Sequence, residues 1–255
     1  MVIFLALYPL LAVAGIYLLD LALPINLVSL MSGSFALAAV LSLSVLASIL
    51  AAAFRKKDNP TLMSAWLFLF CGVAILMLGY LLDPFISESE TWIEELFETT
   101  SFFPFLFFAI SIASPLRILM LPRHQRRLYL LLGLLLFLAV FAVVFLPWFL
   151  MAEGPRLDSP VQYLLHLIKP VLDLLLAEPL ALFALVIGLS RGSAPYFLLG
   201  LGLFLFLPED LLGNFHILSQ WDPNGEISFL LFLASQLYIL NGSLLAALSR
   251  KREQP

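Results

Sequence analysis

Charge is what this sequence has least of. Only 12% of its 255 residues are Asp, Glu, Lys or Arg, 62% are hydrophobic, and mean hydropathy is +1.06. Soluble domains carry about 25% charged residues and about 45–50% apolar ones. A water-soluble globule with half the usual charge would expose large apolar patches and aggregate. The shortage excludes a soluble enzyme, a disordered chain and a nucleic-acid binder with a basic face. Cysteine is nearly absent too. Cys71 stands alone inside an apolar run, which leaves no intramolecular disulfide and no multi-cysteine metal site. No phosphate-cradling glycine loop occurs. The first residues, MVIFLALYPLLAVAGIYLL, lack a basic lead-in and a small-x-small cleavage site, and read as an uncleaved first span. The expected fold is all-α: one integral membrane domain over residues 1–255.

What is present is a series of long apolar runs. A span needs about 20 mostly apolar residues. Eight segments meet that length, at about 2–20, 28–54, 61–82, 96–117, 128–150, 171–190, 195–213 and 228–249. The second is full of small residues (Gly33, Ser34, Ala38, Ala39, Ser42, Ala47, Ala51), which lets helix backbones approach closely and predicts a central, protein-packed helix. Pro24, Pro60, Pro122, Pro160 and Pro195 lie between segments, where a missing backbone donor does no harm. Pro104, Pro170 and Pro179 fall inside segments or near their ends and predict kinks.

The few basic residues set the orientation. Eleven of the thirteen lie at 55–57, in 117–127, at Arg191 and at 250–252, that is, in alternate loops and the C-terminal tail. Only Arg156 and Lys169 fall on the other side. By the positive-inside rule those loops and both termini are cytoplasmic, as in a bacterial-type inner membrane. Seven spans would break the alternation.

The chain also reads as a diverged duplication with halves at about 1–120 and 128–250. Segments two and three share a pattern with segments six and seven: apolar helix, basic turn, proline, Gly-containing apolar helix, then an acidic exit followed by Phe. Four spans per half make these parallel repeats about an axis along the membrane normal, with a site expected between them.

Ionisable groups inside spans are costly and are candidates for function. Glu178 lies thirteen residues from Arg191, roughly 20 Å above the cytoplasmic edge, beside Pro179. Lys169 and Asp173 are spaced for an i,i+4 ion pair, or mark the outer interface with Lys169 snorkelling. Glu94, Glu95 and Glu98 open the fourth span, with Glu98 deepest; there they also complement the helix dipole. Glu209 and Asp210 follow Pro208 near the outer end of the seventh. Adjacent, partly desolvated carboxyls favour one protonated and one ionised partner, an acid and a base together; the plainer reading is an exit to the outer loop. His124 sits among arginines, while His166 and His216 lack metal-ligand spacing, so no metal site is expected. The Ser-containing pieces MSGSF and NGSLL have no His or Lys partner for a serine nucleophile.

Over residues 169–240 a pattern emerges: Lys169–Pro170, then GLGLFLFLPED ending at Asp210, then FLASQLYIL around Gln236 and Tyr238. That order resembles the YhhN-type lysoplasmalogenase family, small eight-span proteins with both termini inside. The resemblance implies hydrolysis of the vinyl-ether bond of a lysoplasmalogen, with Asp210 as one of two intramembrane carboxylates. It implies a polar orienting role for Gln236, and a substrate contact by Lys169 and Tyr238. Such chemistry needs an acid to protonate the vinyl-ether carbon and a base to direct water at the resulting oxocarbenium. This chain departs from the pattern in two places. Glu209 replaces a small residue before Asp210, and the first half has Gly79–Tyr80 where the second carboxylate is expected, with Asp83 three residues later.

Two functions follow. One is a membrane lipid-processing hydrolase that uses Asp210 with Glu209, Asp83, Glu98 or Glu178, needs no cofactor and takes a membrane lipid as partner; the departures leave room for altered or lost activity. The other is a non-enzymatic membrane protein: a transporter, a sensor or a subunit of a complex. The tail RKREQP is too short for an output domain, so signalling would need a protein partner. Most carboxylates gather in the outer half, which argues against a continuous transmembrane proton path.

Overall fold

In a computed structural model, residues 2–22, 31, 35–82, 92–112, 122–140, 194–214 and 226–249 are described. Every regular element among them is an α-helix: α1 (Val2–Ala22), α2 (Phe35–Arg55), α3 (Pro60–Leu82), α4 (Trp92–Ile112), α5 (Arg123–Val140), α6 (Ala194–Asn214) and α7 (Glu226–Leu248). These helices occupy seven of the eight apolar segments read from the sequence. The segment 171–190 lies outside the described residues. Among the described residues, two helices are long and apolar enough to cross a membrane by length and composition, over Pro60–Gly79 and Ile227–Leu248. Shorter apolar stretches run over Leu7–Ala22, Ala39–Arg55 and Ala194–Leu205.

Local chemistry explains the break between α2 and α3. The Lys57 and Asn59 amides donate to Phe54 and Lys56 carbonyls at 3.3 and 2.9 Å, closing a turn. The Asn59 side-chain oxygen then accepts from the Leu62 amide at 3.2 Å. This is an Asn cap followed by proline at the first helical position, a combination that starts helices for local reasons. α5 begins just after Pro122, whose carbonyl accepts from the Arg126 amide at 3.0 Å. Neither Pro104 nor Pro208 ends its helix: α4 and α6 both run through.

The helices pack as a chain of neighbours: α2 on α3, α3 on α4, α6 on α7, with α7 also touching α2 and α1. The core joins Val45, Ile49 and Ala52 of α2, Trp66, Leu69 and Met77 of α3, Phe105 and Phe108 of α4, Leu199 and Leu203 of α6, and Ile239 and Ala246 of α7. Tyr129 brings the start of α5 against it. Close approach depends on glycine at two places. A Cβ on Gly72 would stand 2.8 Å from the Phe105 ring, and one on Gly202 would stand 2.9 Å from the Ser235 carbonyl oxygen. Beside the first of these, Phe68 stacks on Phe107 with centroids 5.2 Å apart.

The second segment, expected to be central and protein-packed, is buried on one side and exposed on the other among its described residues. Ser42, Ser48, Ala52 and Ala53 of α2 are buried, whereas Ala47 and Ala51 are exposed beside Leu43 and Phe54. A helix buries residues by angular position, and Ala47 and Ala51 lie on the wrong side. The most enclosed helix is α7, which has neighbours on three sides. Outward faces are apolar along much of the fold, including Leu11, Leu18 and Leu21 of α1 and Leu130, Leu131 and Leu134 of α5.

Candidate functional site

α7 carries the candidate site, and its pairing with α6 sets the geometry. The Cβ position of Gly202 faces Ile239 and the Ser235 carbonyl, while that of Gly242 faces Pro195 and Leu199. Both contacts describe one antiparallel register in which positions on the two helices sum to about 439. Ser235 locks it by donating its hydroxyl to the Gly202 carbonyl at 2.8 Å. In this register Gln236 lies level with Leu203, and the backbone of Asp210 lies level with Phe229. Seven residues of helix, about 10 Å, separate the two heights.

On another side α7 meets α2. The hydroxyls of Ser48 and Ser243 are 2.7 Å apart and share a hydrogen bond. Each also donates, within its own helix, toward a carbonyl a turn earlier: Ser48 to Val45 and Ser243 to Ile239. One proton per hydroxyl cannot serve both acceptors at once, so the pair has two arrangements, with either oxygen donating across the seam. Ser42 of α2 reaches α3 instead, donating to the Met77 sulfur at 2.9 Å.

Gln236 is completely buried, and neither its carbonyl oxygen nor its amide nitrogen has a hydrogen-bond partner among the described residues. The Trp66 indole nitrogen, the Thr99 hydroxyl and the Asn241 amide nitrogen are likewise buried and unpaired there. Such groups are uncommon in native interiors and point to a missing partner. Tyr238, two residues on from Gln236, is also buried, at 1% exposure.

The other sequence candidates are placed as follows. Glu209 and Asp210 belong to α6, which continues through Pro208 to Asn214; the pair is therefore helical rather than part of an exit loop. Glu98 lies in the second turn of α4. Asp83, Lys169 and Glu178 lie outside the described residues, as do Asp173, His166 and His216. The structure thus joins Gln236 and Tyr238 to the helix that carries Asp210, but at a different height. Among the described residues no group of three His, Cys, Asp or Glu could hold a metal ion. The Ser48–Ser243 pair has no signature in the sequence. NGSLL lacked a partner nearby in the chain, and its partner stands 195 residues away.

Compared with known proteins, the chain matches no family model, no curated protein and no solved structure.

Proposed function

We propose that the chain is an eight-span membrane protein, both termini cytoplasmic, that hydrolyses a membrane lipid of the lysoplasmalogen class with Asp210 as acid–base group. The membrane setting draws support from the apolar outer faces of α1, α2 and α5 and from the two helices of spanning length. Lipid tails solvate such faces, whereas water does not. The residues 55–57 and 117–127, rich in Lys and Arg, then face the cytoplasm.

One observation carries the catalytic part. Asp210 is held in α6 after Pro208, and α6 is clamped to α7 through Gly202 and Gly242. A carboxylate carried near the outer end of such a helix stands at the height where the headgroup end of a lipid lying along it would be. Protonated, it delivers a proton to the vinyl-ether carbon; a second carboxylate, Glu209, Glu98, Glu178 or Asp83, directs water at the oxocarbenium. The resulting hemiacetal breaks down to a free aldehyde and the glycerol hydroxyl. Gln236 lies about 10 Å deeper, away from the reacting atoms.

The experiment is aldehyde release from a lysoplasmalogen by the purified chain. Wild type should turn the lipid over. Asp210→Asn should abolish release without unfolding, because it preserves volume and removes the titratable proton. Full activity in Asp210→Asn would refute the acid–base role. No release by the folded wild type would leave the non-enzymatic reading, a transporter, sensor or complex subunit.

A further inference from the structure

Gln236 lies near the middle of α7, ten residues from Glu226 and twelve from Leu248. About 15 Å of helix separates it from the nearer end. In a bilayer that is close to the midplane, beyond the reach of interfacial water and of charged headgroups. Its carboxamide is nonetheless fully buried with oxygen and nitrogen both open among the described residues. A buried polar group without a partner is expensive, so the side chain calls for something to bind.

The position narrows what that is. Gln236 and Ser243 are seven residues apart, two turns, and so share the face of α7 that Ser243 presents to Ser48 of α2. This α2–α7 seam is joined through side chains, with the Ser48–Ser243 hydrogen bond below the carboxamide. The α6 side of α7 is closed by backbone, since even a Cβ at Gly202 or Gly242 would come within 2.9 Å of a carbonyl oxygen. The seam with α2, which Gln236 shares with Ser243, has no such backbone closure among the described contacts. Neither α2 before Arg55 nor α7 after Glu226 contains a charged residue. A charged ligand would find no counter-ion on these two helices. The carboxamide offers one acceptor and two donors, and a single hydroxyl complements it by donating and accepting together.

We propose that Gln236 is a recognition point for the hydroxyl of a neutral lipid alcohol, whose alkyl chain lies along the apolar α2–α7 seam. The hydroxyl donates to Oε1 and accepts from Nε2. Such a site goes beyond lipid hydrolysis at Asp210 and needs only the membrane setting of that reading.

The test uses the full chain in nanodiscs of diacyl phosphatidylcholine, with radiolabelled hexadecanol displaced by unlabelled hexadecanol or by its methyl ether. The ether keeps the chain and an acceptor but has no donor. Wild type should bind the alcohol at least about fivefold more tightly than the ether, the worth of one net hydrogen bond. Gln236→Met, similar in length and without the amide, should bind both alike, and Asp210→Asn should keep the wild-type preference. Equal binding of the two probes by wild type would overturn the site, as it would if a trapped water satisfied the amide. So would an undiminished preference in Gln236→Met. The wild-type comparison stands whether or not the variant folds. Aldehyde release is scored separately: preference without turnover keeps this site and removes the hydrolase, and turnover without preference does the reverse.

Discussion

Gly202 and Gly15 are both helical glycines, yet they answer to different forces. Among the described residues nothing lies within 4 Å of a Cβ at Gly15, whereas at Gly202 a Cβ would meet the Ile239 side chain at 2.7 Å and the Ser235 carbonyl oxygen at 2.9 Å. Backbone cannot swing aside as a side chain can. Gly202→Ala should therefore destabilise the fold by about 1–3 kcal/mol, the usual cost of overpacking. Gly15→Ala should be neutral or gain up to about 1 kcal/mol from helix propensity. Thermal unfolding in mild detergent separates them, and a Gly202→Ala that melts with wild type would contradict the close α6–α7 approach. Ser48 and Ser243 give a second check. A double-mutant cycle with alanine should return a coupling of about 0.5–1 kcal/mol, in the range measured for buried interhelical hydrogen bonds in membranes. Zero coupling would mean that the hydroxyls do not meet. GLGLF lies in an apolar run that predicts a helix, but not which neighbour it meets, because no local property of α6 distinguishes α7 from α3.

Helix positions were legible because their causes are local. Asn59 and Pro60 start α3 through a side-chain cap and a preset φ, and apolar length predicts the rest of the run. Rotation about each axis was not legible. Ala47 and Ala51 counted equally with Ser42 as small residues in the sequence, yet they face outward while Ser42 is buried. Cys71 makes the orientation of α3 testable. It is exposed at the centre of α3, eleven residues from either end of Pro60–Leu82. If α3 spans the membrane, that sulfur faces lipid near the midplane. A charged, membrane-impermeant thiol reagent should then fail to label sealed vesicles from either side, but label the protein once it is unfolded in detergent. With no other cysteine in the chain, labelling of sealed vesicles would place α3 elsewhere.

Across the whole chain, the arrangement of basic residues predicts one orientation. A reporter fused after Pro255 should be active only in the cytoplasm, and one inserted at 117–127 should behave alike, since each Lys or Arg resists translocation. An outward C-terminal reporter would overturn the eight-span topology. The expected duplication bears on a different part of the chain. The hairpins α3–α4 and α6–α7 both pack closely through a glycine, Gly72 and Gly202. The sixth segment, needed to compare the halves, lies outside the described residues.

Composition and apolar run length alone determined that the described elements are helices and where they lie, because hydrophobic length, caps and prolines act within a few residues. They also singled out Asp210 as an ionisable group in costly surroundings, whereas Gln236 and Tyr238 stood out only through the resemblance over residues 169–240. Which groups meet was decided only by tertiary structure. Ser243 finds its partner 195 residues away, Asp210 is set about 10 Å from the level of Gln236 by the α6–α7 register, and Gln236 ends with neither end of its amide paired among the described residues. Each outcome depends on how far one helix is rotated and shifted against another. That is settled by packing among residues distant in the chain, which no window of sequence contains.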